Sequence, residues 1–212
     1  QPVRRLLVDC GLVAALPTDG VLLLERLDAD RDLSEVWVDE ACEVVGGLLR
    51  QLQVPAPPQF PRLPEYLAPH LERMPGRAAV PRRVVTRTVG LARELLSGEV
   101  PEVLLHTDLH FENVLMGSQG WTAIDPKPVA GHPAFDLFPL LHNRVDELGT
   151  GAAFRWSVRH RVSVAAEAAG IDLDDAFAWT LLRAGVEVSW VSETGDAADV
   201  SLHVALTKAL DE

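Results

Sequence analysis

The sequence predicts an α+β fold on three observations. Short apolar runs and a turn signal open the chain, a second compact hairpin lies near its middle, and helical periodicity governs most of the rest. Val3 to Val8 is apolar apart from two arginines, and Pro17-Thr18-Asp19-Gly20 is a turn signal. Val21 to Leu24 is a short β run ended by Glu25 and Arg26, so strand, turn and strand predict an opening hairpin. Ser34 is placed to cap a helix reaching about Leu52, in which Val38, Ala41, Val45, Leu48 and Leu52 recur at helical spacing. Pro55, Pro57, Pro58, Pro61 and Pro64 forbid a regular element and predict a surface crossover. Pro81 suits the first turn of a second helix, which runs to about Leu96 and is ended by Gly98. Val103-Leu104-Leu105 reads as a strand. After a polar loop, Val114 to Met116 and Trp121 to Ile124 flank the turn Gly117-Ser118-Gln119-Gly120. Segments near 134–143, 154–169, 173–192 and 197–210 carry apolar residues on one face, with Asp172 a candidate cap for the third.

With 212 residues, 48% of them hydrophobic, the chain can bury a sizeable core. No uninterrupted apolar run approaches the roughly 18 residues that a membrane span needs, and no basic start followed by an apolar run reads as a secretion signal. Cys10 and Cys42 lie in apolar segments and read as reduced core thiols rather than a disulfide framework, which predicts a cytoplasmic protein. A formal charge of −12 argues against nucleic acid as a partner, because such binding depends on neutralising phosphates. An acidic surface keeps a protein in solution, and it also attracts small cations.

The chemistry concentrates in His106-Thr107-Asp108-Leu109-His110-Phe111-Glu112-Asn113 and in Ile124-Asp125-Pro126. Asp108 and Asn113 share the loop between a strand and the hairpin. Antiparallel pairing returns the chain to its starting edge, so Asp125 comes back beside Asn113. Hard oxygen donors of this kind suit Mg²⁺, which takes its remaining ligands from water and substrate phosphates. The set therefore predicts phosphoryl transfer. Asn113 and Asp125 would hold the metal, and Asp108 would orient the attacking hydroxyl and accept its proton late. A weaker reading takes His106, Asp108 and His110 as zinc ligands.

His106-x-Asp108-x-x-x-x-Asn113 is similar to the catalytic loop of protein kinases, and more so to the H-G-D-L-H-x-x-N signature of aminoglycoside and choline kinases. Ile124-Asp125-Pro126-Lys127-Pro128, Gly131-His132-Pro133-Ala134-Phe135-Asp136-Leu137 and Asn143-Arg144 resemble the streptomycin and hydroxyurea phosphotransferase branch. Leu22 to Asp28 resembles the last strand of the small lobe and the hinge. The resemblance implies a protein-kinase-like fold, with residues 1–27 ending a small N-terminal β lobe and 28–212 forming a mostly helical catalytic lobe built around the hairpin. It further implies ATP as donor, adenine contacts from the hinge backbone near Glu25 and Leu27, and a hydroxyl on a small cationic antibiotic as acceptor. A streptomycin-like aminoglycoside is the first expectation for that acceptor and hydroxyurea the second.

Thr107 stands where the family has glycine, a residue without strain unless the backbone there needs a positive φ. No glycine-rich phosphate loop precedes the hinge, and both lysines, Lys127 and Lys208, follow it. The alternative expectation is therefore a truncated or degenerate kinase-like protein that binds ligand without catalysis. His106 reads as a brace for the loop, and Asp136 as a helix cap or a partner of the loop backbone. Lys127 reads as a solvated surface lysine rather than a phosphate contact, and Trp156, Trp179 and Trp190 as core residues on helix faces rather than a substrate stacking platform. His110 is a candidate substrate contact. Related kinases bind substrate amines with late acidic residues, which makes Glu187 and Glu193, and with them Asp196 and Asp199, candidates for that role.

Overall fold

The computed structural model describes residues 12–16, 21–98 and 101–211. Strands β1 (Leu12–Leu16) and β2 (Val21–Leu24) pair antiparallel as the opening hairpin. Its first strand is Leu12–Leu16, and the expectations for Val3 to Val8 and for the Pro17–Gly20 turn lie outside the described residues. Strand β3 (Asp28–Asp32) has no counterpart in the sequence reading. Its Asp-Ala-Asp-Arg-Asp run is exposed nearly throughout, so no apolar alternation marks it. Only its antiparallel pairing with a later strand makes it regular.

Helix α1 spans Val38–Leu52, shorter than expected, and Ser34 does not cap it. The Ser34 amide instead donates to the Asp32 side chain at 2.7 Å, closing a tight turn that postpones the helix to Val38. The proline-rich stretch is irregular up to residue 62, where helix α2 (Leu63–Arg73) corrects the expectation. Pro64 sits in its first turn, where a missing N–H costs nothing, and Glu65 accepts from the Arg62 amide at 3.3 Å. Helix α3 (Arg82–Leu95) follows Pro81 as expected. After it come β4 (Val103–Leu105), β5 (Val114–Gly117), β6 (Gly120–Ala123) and β7 (Val129–Gly131). β3, β5 and β6 form one small antiparallel sheet, and β4 pairs with β7 in another.

The segment expected near 134–143 is a 3₁₀ helix, Pro133–Leu141, buried throughout from Ala134 onward. Helices α4 (Gly151–Ala169), α5 (Leu173–Thr194) and α6 (Ala197–Asp211) complete the lobe. Asp172 caps α5 as expected, accepting from the amides of Asp174 and Asp175. Two helix crossings are close enough to require glycine. A Cβ on Gly46 of α1 would lie 2.4 Å from the Ala165 carbonyl oxygen of α4, and one on Gly185 of α5 would lie 1.9 Å from Thr88 Oγ1 of α3. Among the tryptophans only Trp179 is in the core. Trp156 is 64% and Trp190 38% exposed, which corrects the expectation for both. No described helix is long and apolar enough to cross a membrane.

One contiguous core joins α1, α4, α5 and the 3₁₀ segment to Leu105, Leu109, Phe111 and Val114. The loop that carries Asp108 is therefore anchored on both sides by fully buried side chains. Cys42 lies in this core, where burial pushes its thiol up to about 12, so it is an inert apolar residue as expected.

Candidate functional site

The loop from His106 to Asn113 is held from beneath by a buried carboxylate. Asp136, 1% exposed, accepts from the His106 amide at 2.6 Å and the Thr107 amide at 2.9 Å. It does not cap the 3₁₀ helix, which starts at Pro133 behind His132. Burial raises the Asp136 carboxyl to about 6, against the opposing pull of the two N–H donors and Arg183. His106 is fully buried. Its Nε2 bonds the Ile124 carbonyl at 2.9 Å and its Nδ1 accepts from the Asp108 amide at 3.3 Å, so the ring bridges the loop to the far end of the hairpin. With both nitrogens engaged, His106 has no lone pair for zinc. Among the described residues no group of three His, Cys, Asp or Glu side chains is placed to hold a metal, and the zinc reading falls.

Thr107 adopts φ 62°, so the position does demand the left-handed conformation that glycine adopts freely. For a β-branched residue that conformation costs about 1–2 kcal/mol. Its hydroxyl gives a return, donating to the Lys127 carbonyl at 2.6 Å. Asp125 is also left-handed, at φ 54°.

Asn113 and Asp125 are brought together as the hairpin argument requires. Val114 pairs with Ala123, and the Ile124 amide donates to the Asn113 carbonyl at 2.9 Å. The Asn113 amide donates to the Asp108 main-chain oxygen at 2.8 Å, leaving the Asn113 Oδ1 without a protein partner among the described residues. Asp108 and Asp125 share one cation. Lys127 Nζ forms an ion pair with Asp108 Oδ2 and lies 3.8 Å from Asp125 Oδ2. The hydrogen bond to Asp108 holds the Lys127 ammonium above its ordinary pKa. Lys127 is a surface side chain as expected, 63% exposed, and it is also part of the cluster. A cation between the two carboxylates marks a place suited to positive charge. The open Asp125 carboxylate and the free Asn113 oxygen fit a hard divalent ion.

The other candidates divide. Glu25 accepts from the Ser118 amide at 2.7 Å, and Leu27 packs against Gly117, so the hinge segment rests on the β5–β6 turn. That contact holds Glu25 below the usual carboxylate range. His110 lies 5.8 Å, ring to ring, from His142, and its buried Nδ1 has no hydrogen-bond partner. Glu187 is already paired with Arg183 at 2.6 Å, and Glu193 with Arg77. Asp196 and Asp199 cap the start of α6 through the amides of residues 196, 198 and 199. That local role answers for both side chains.

Sequence reasoning assigns no role to four supporting residues. Asn143 accepts from the Phe111 amide at 3.0 Å and so fixes the turn before Asn113. Arg183, 6% exposed, lies over the Phe135 ring at 4.7 Å and reaches the Thr107 carbonyl at 3.4 Å. Arg161, 3% exposed, donates to the carbonyls of Leu140, Asn143 and Arg144. Tyr66 on α2 stands among Arg183, Glu187 and Asp108, and burial raises its hydroxyl pKa. An arginine inside an apolar helical stripe is the one signal that finds Arg161 and Arg183.

These buried groups set a pH dependence. Burial lowers His106 and His142 to about 4 from 6.5. The unfolded chain then binds those protons first, and each histidine removes up to about 3 kcal/mol of stability as pH falls from 6.5 to 4. Asp136 stands at about 6 in the fold against 3.8, so the folded chain binds its proton first and stability rises over nearly the same interval, by a similar amount. Two losses against one gain leave a net loss of about 3 kcal/mol, and His132, also lowered by burial, adds to it. The urea midpoint is expected to be clearly lower at pH 4.5 than at pH 7. An unchanged or higher midpoint would contradict these assignments.

Residues 11–195 match the family model of the aminoglycoside/hydroxyurea antibiotic resistance kinases. A streptomycin 6-kinase of Streptomyces glaucescens is 38% identical over 202 residues, covering 92% of this chain and 66% of the relative. A hydroxyurea phosphotransferase of Kitasatospora aureofaciens is 40% identical over 214 residues, covering 94% and 60%. The chain thus spans about two thirds of the length of these curated relatives. Among solved structures, an aminoglycoside phosphotransferase APH(4)-Ia in a ternary complex with ADP and hygromycin B superposes with a TM-score of 0.60 at 14% identity, covering 99% of this chain and 81% of that one. A choline kinase of Streptococcus pneumoniae gives 0.59 at 15% identity, covering 99% and 78%. At such identities the likeness establishes the protein-kinase-like fold alone. A catalytic-type loop, a returning aspartate and a family match over most of the sequence coincide, and the chain belongs to the aminoglycoside/hydroxyurea antibiotic resistance kinase family.

Proposed function

We propose that this chain is the hinge and catalytic lobe of an ATP- and Mg²⁺-dependent phosphotransferase that acts on a hydroxyl of a small cationic antibiotic, so conferring resistance. Residues 1–27 end the small lobe and hinge, and 28–212 form the catalytic lobe. The observation that carries the reading is the convergence of Asp108 and Asp125 on one cation, with the Asn113 amide bonded to the Asp108 main-chain oxygen. Asn113 and Asp125 are the residues that would hold Mg²⁺. The ion, when bound, neutralises charge on the donor phosphates.

The protein's own groups do the rest. Asp108 uses one carboxylate oxygen for Lys127 and keeps the other for the acceptor hydroxyl, aligning it and taking its proton as the new bond forms. His106 and Asp136 hold the loop so that this carboxylate keeps its aim. The hinge backbone near Glu25 and Leu27 meets the adenine. His110, Glu187 and Glu193 face the acceptor. Glu193 is the more available carboxylate, since its Arg77 pair is about one-third exposed whereas the Glu187–Arg183 pair is nearly buried. The net charge of −12 favours a cationic acceptor over an anionic one.

The relatives named for streptomycin and hydroxyurea make a streptomycin-like aminoglycoside the first acceptor to try and hydroxyurea the second. The test is coupled ADP release with Mg²⁺-ATP across streptomycin, hydroxyurea, hygromycin B and choline. Release that depends on streptomycin or hydroxyurea is the expected result. ATP bound without release to any acceptor would overturn the reading in favour of a kinase-like binding protein.

A further inference from the structure

We propose that Lys127 is a further catalytic residue, whose ammonium contacts the phosphoryl group during transfer while holding Asp108 toward the acceptor. The inference rests on the phosphotransferase reading and adds to it a cation supplied by the chain itself. An exposed lysine–carboxylate pair alone would mean little, because such pairs contribute roughly 0–1 kcal/mol and often form by chance. This lysine differs in how its backbone is held. Its amide donates to the His106 carbonyl at 2.9 Å, and its carbonyl accepts from the Thr107 hydroxyl at 2.6 Å. Both of its peptide groups are therefore fastened to the two residues that precede Asp108. Pro126 and Pro128 flank it and restrict the chain on either side. Asp125, one residue before Pro126, is turned into the left-handed region. A fixed backbone and a four-carbon side chain together put the ammonium between the two carboxylates of the site.

That position has a chemical consequence. An ammonium has three N–H donors, and the Asp108 bond uses one of them. With Asp125 Oδ2 3.8 Å away, the remaining donors are available to a terminal phosphoryl group between Asp108 and Asp125, where it must lie if Asp108 is to align its attacker. Transfer spreads negative charge over the three equatorial oxygens of that group, and a fixed cation there stabilises it without reorganisation. In the step, the acceptor oxygen–phosphorus bond forms and the bond to the nucleoside diphosphate breaks. The acceptor proton passes to the free oxygen of Asp108, and Lys127 keeps its own protons throughout. Among the described residues the only other lysine, Lys208, lies in the last turn of α6, and Arg183 is committed to Glu187 and the Thr107 carbonyl.

Lys127→Met and Lys127→Arg, made in the full chain, test it. The methionine variant is expected to keep its thermal midpoint, because the lysine side chain is 63% exposed. Its kcat should fall about 100-fold or more, the cost of one well-placed electrostatic donor, with acceptor KM changed only a few-fold. Arg is expected to restore part of the loss. Calorimetry supplies a readout apart from turnover. If the ammonium meets the terminal phosphoryl group, the unaltered chain prefers Mg²⁺-ATP over Mg²⁺-ADP and Lys127→Met loses that preference. A methionine variant with unchanged kcat, or one that keeps the full preference for triphosphate, would overturn the proposal. Absence of turnover in the unaltered chain would instead sink the phosphotransferase reading, and the triphosphate preference would still decide whether Lys127 meets the terminal group.

Discussion

Asp108→Asn is expected to cut acceptor-dependent ADP release by about 10²- to 10⁴-fold, the range for removing a positioned general base. The substitution is nearly isosteric, and the local structure predicts that it leaves the site standing. Asn113 is tied to the main-chain oxygen of residue 108 and not to its side chain, so the amide keeps its anchor. The Asp108 amide bonds to His106 Nδ1, which the substitution also spares. What disappears is the carboxylate that pairs with Lys127 and that would accept the proton. Binding of Mg²⁺-ATP should therefore persist within a few-fold, because Asn113 and Asp125 are untouched. The loss should fall on kcat, which marks an interaction that matters in the transition state rather than in ground-state binding. Single-turnover measurements with saturating nucleotide would check this. Wild-type rates in the asparagine variant would remove Asp108 from the role assigned to it.

Which parts of this site are legible in the sequence follows from the range of the forces that build them. Asp108, Asn113 and Asp125 are legible because a two-strand hairpin with a short turn is a local structure. Its register, Val114 against Ala123 and Gly117 against Gly120, follows from the turn, and the return of Asp125 to Asn113 comes with it. The helices from α4 to α6 are legible because their apolar stripes repeat, and Asp172 because capping is a matter of neighbouring residues. Lys127 is not legible in the same way. Nothing in Pro-Lys-Pro shows that a solvent-facing lysine is also clamped at both peptide groups, and the clamp comes from residues 106 and 107 in the loop after β4. Tyr66 is lost for a related reason, because the prolines around residues 55–64 hide the helix that carries it. Strand β3 is lost because an exposed acidic edge has no apolar pattern to read. Trp156 and Trp190 mislead in the opposite direction, since size and hydrophobicity suggest burial while the fold leaves both on the surface.

Asp136→Ala is expected to be the most destabilising single change in this region, because it strands two backbone donors at once. The His106 and Thr107 amides are buried and both bond to this carboxylate. A buried donor without a partner costs about 1–3 kcal/mol, so the pair predicts a loss of about 3–5 kcal/mol, against which stands only the relief of no longer burying a charge. For a chain of this size that corresponds to a thermal midpoint lower by about 10 °C. Asp136→Asn should lie between, because an amide oxygen can still accept but its NH₂ faces a second donor. The effect should carry into function, because these two amides belong to the residues just before Asp108. Arg183 would also lose its nearby counter-charge, leaving a guanidinium whose Nη1 already has no partner. Urea unfolding followed by fluorescence gives the comparison, with an unchanged m-value needed to assign the shift to the folded state. A midpoint for Asp136→Ala within about 0.5 kcal/mol of the parent would mean that water or a shifted loop satisfies both amides, and that the loop is not held in the way described.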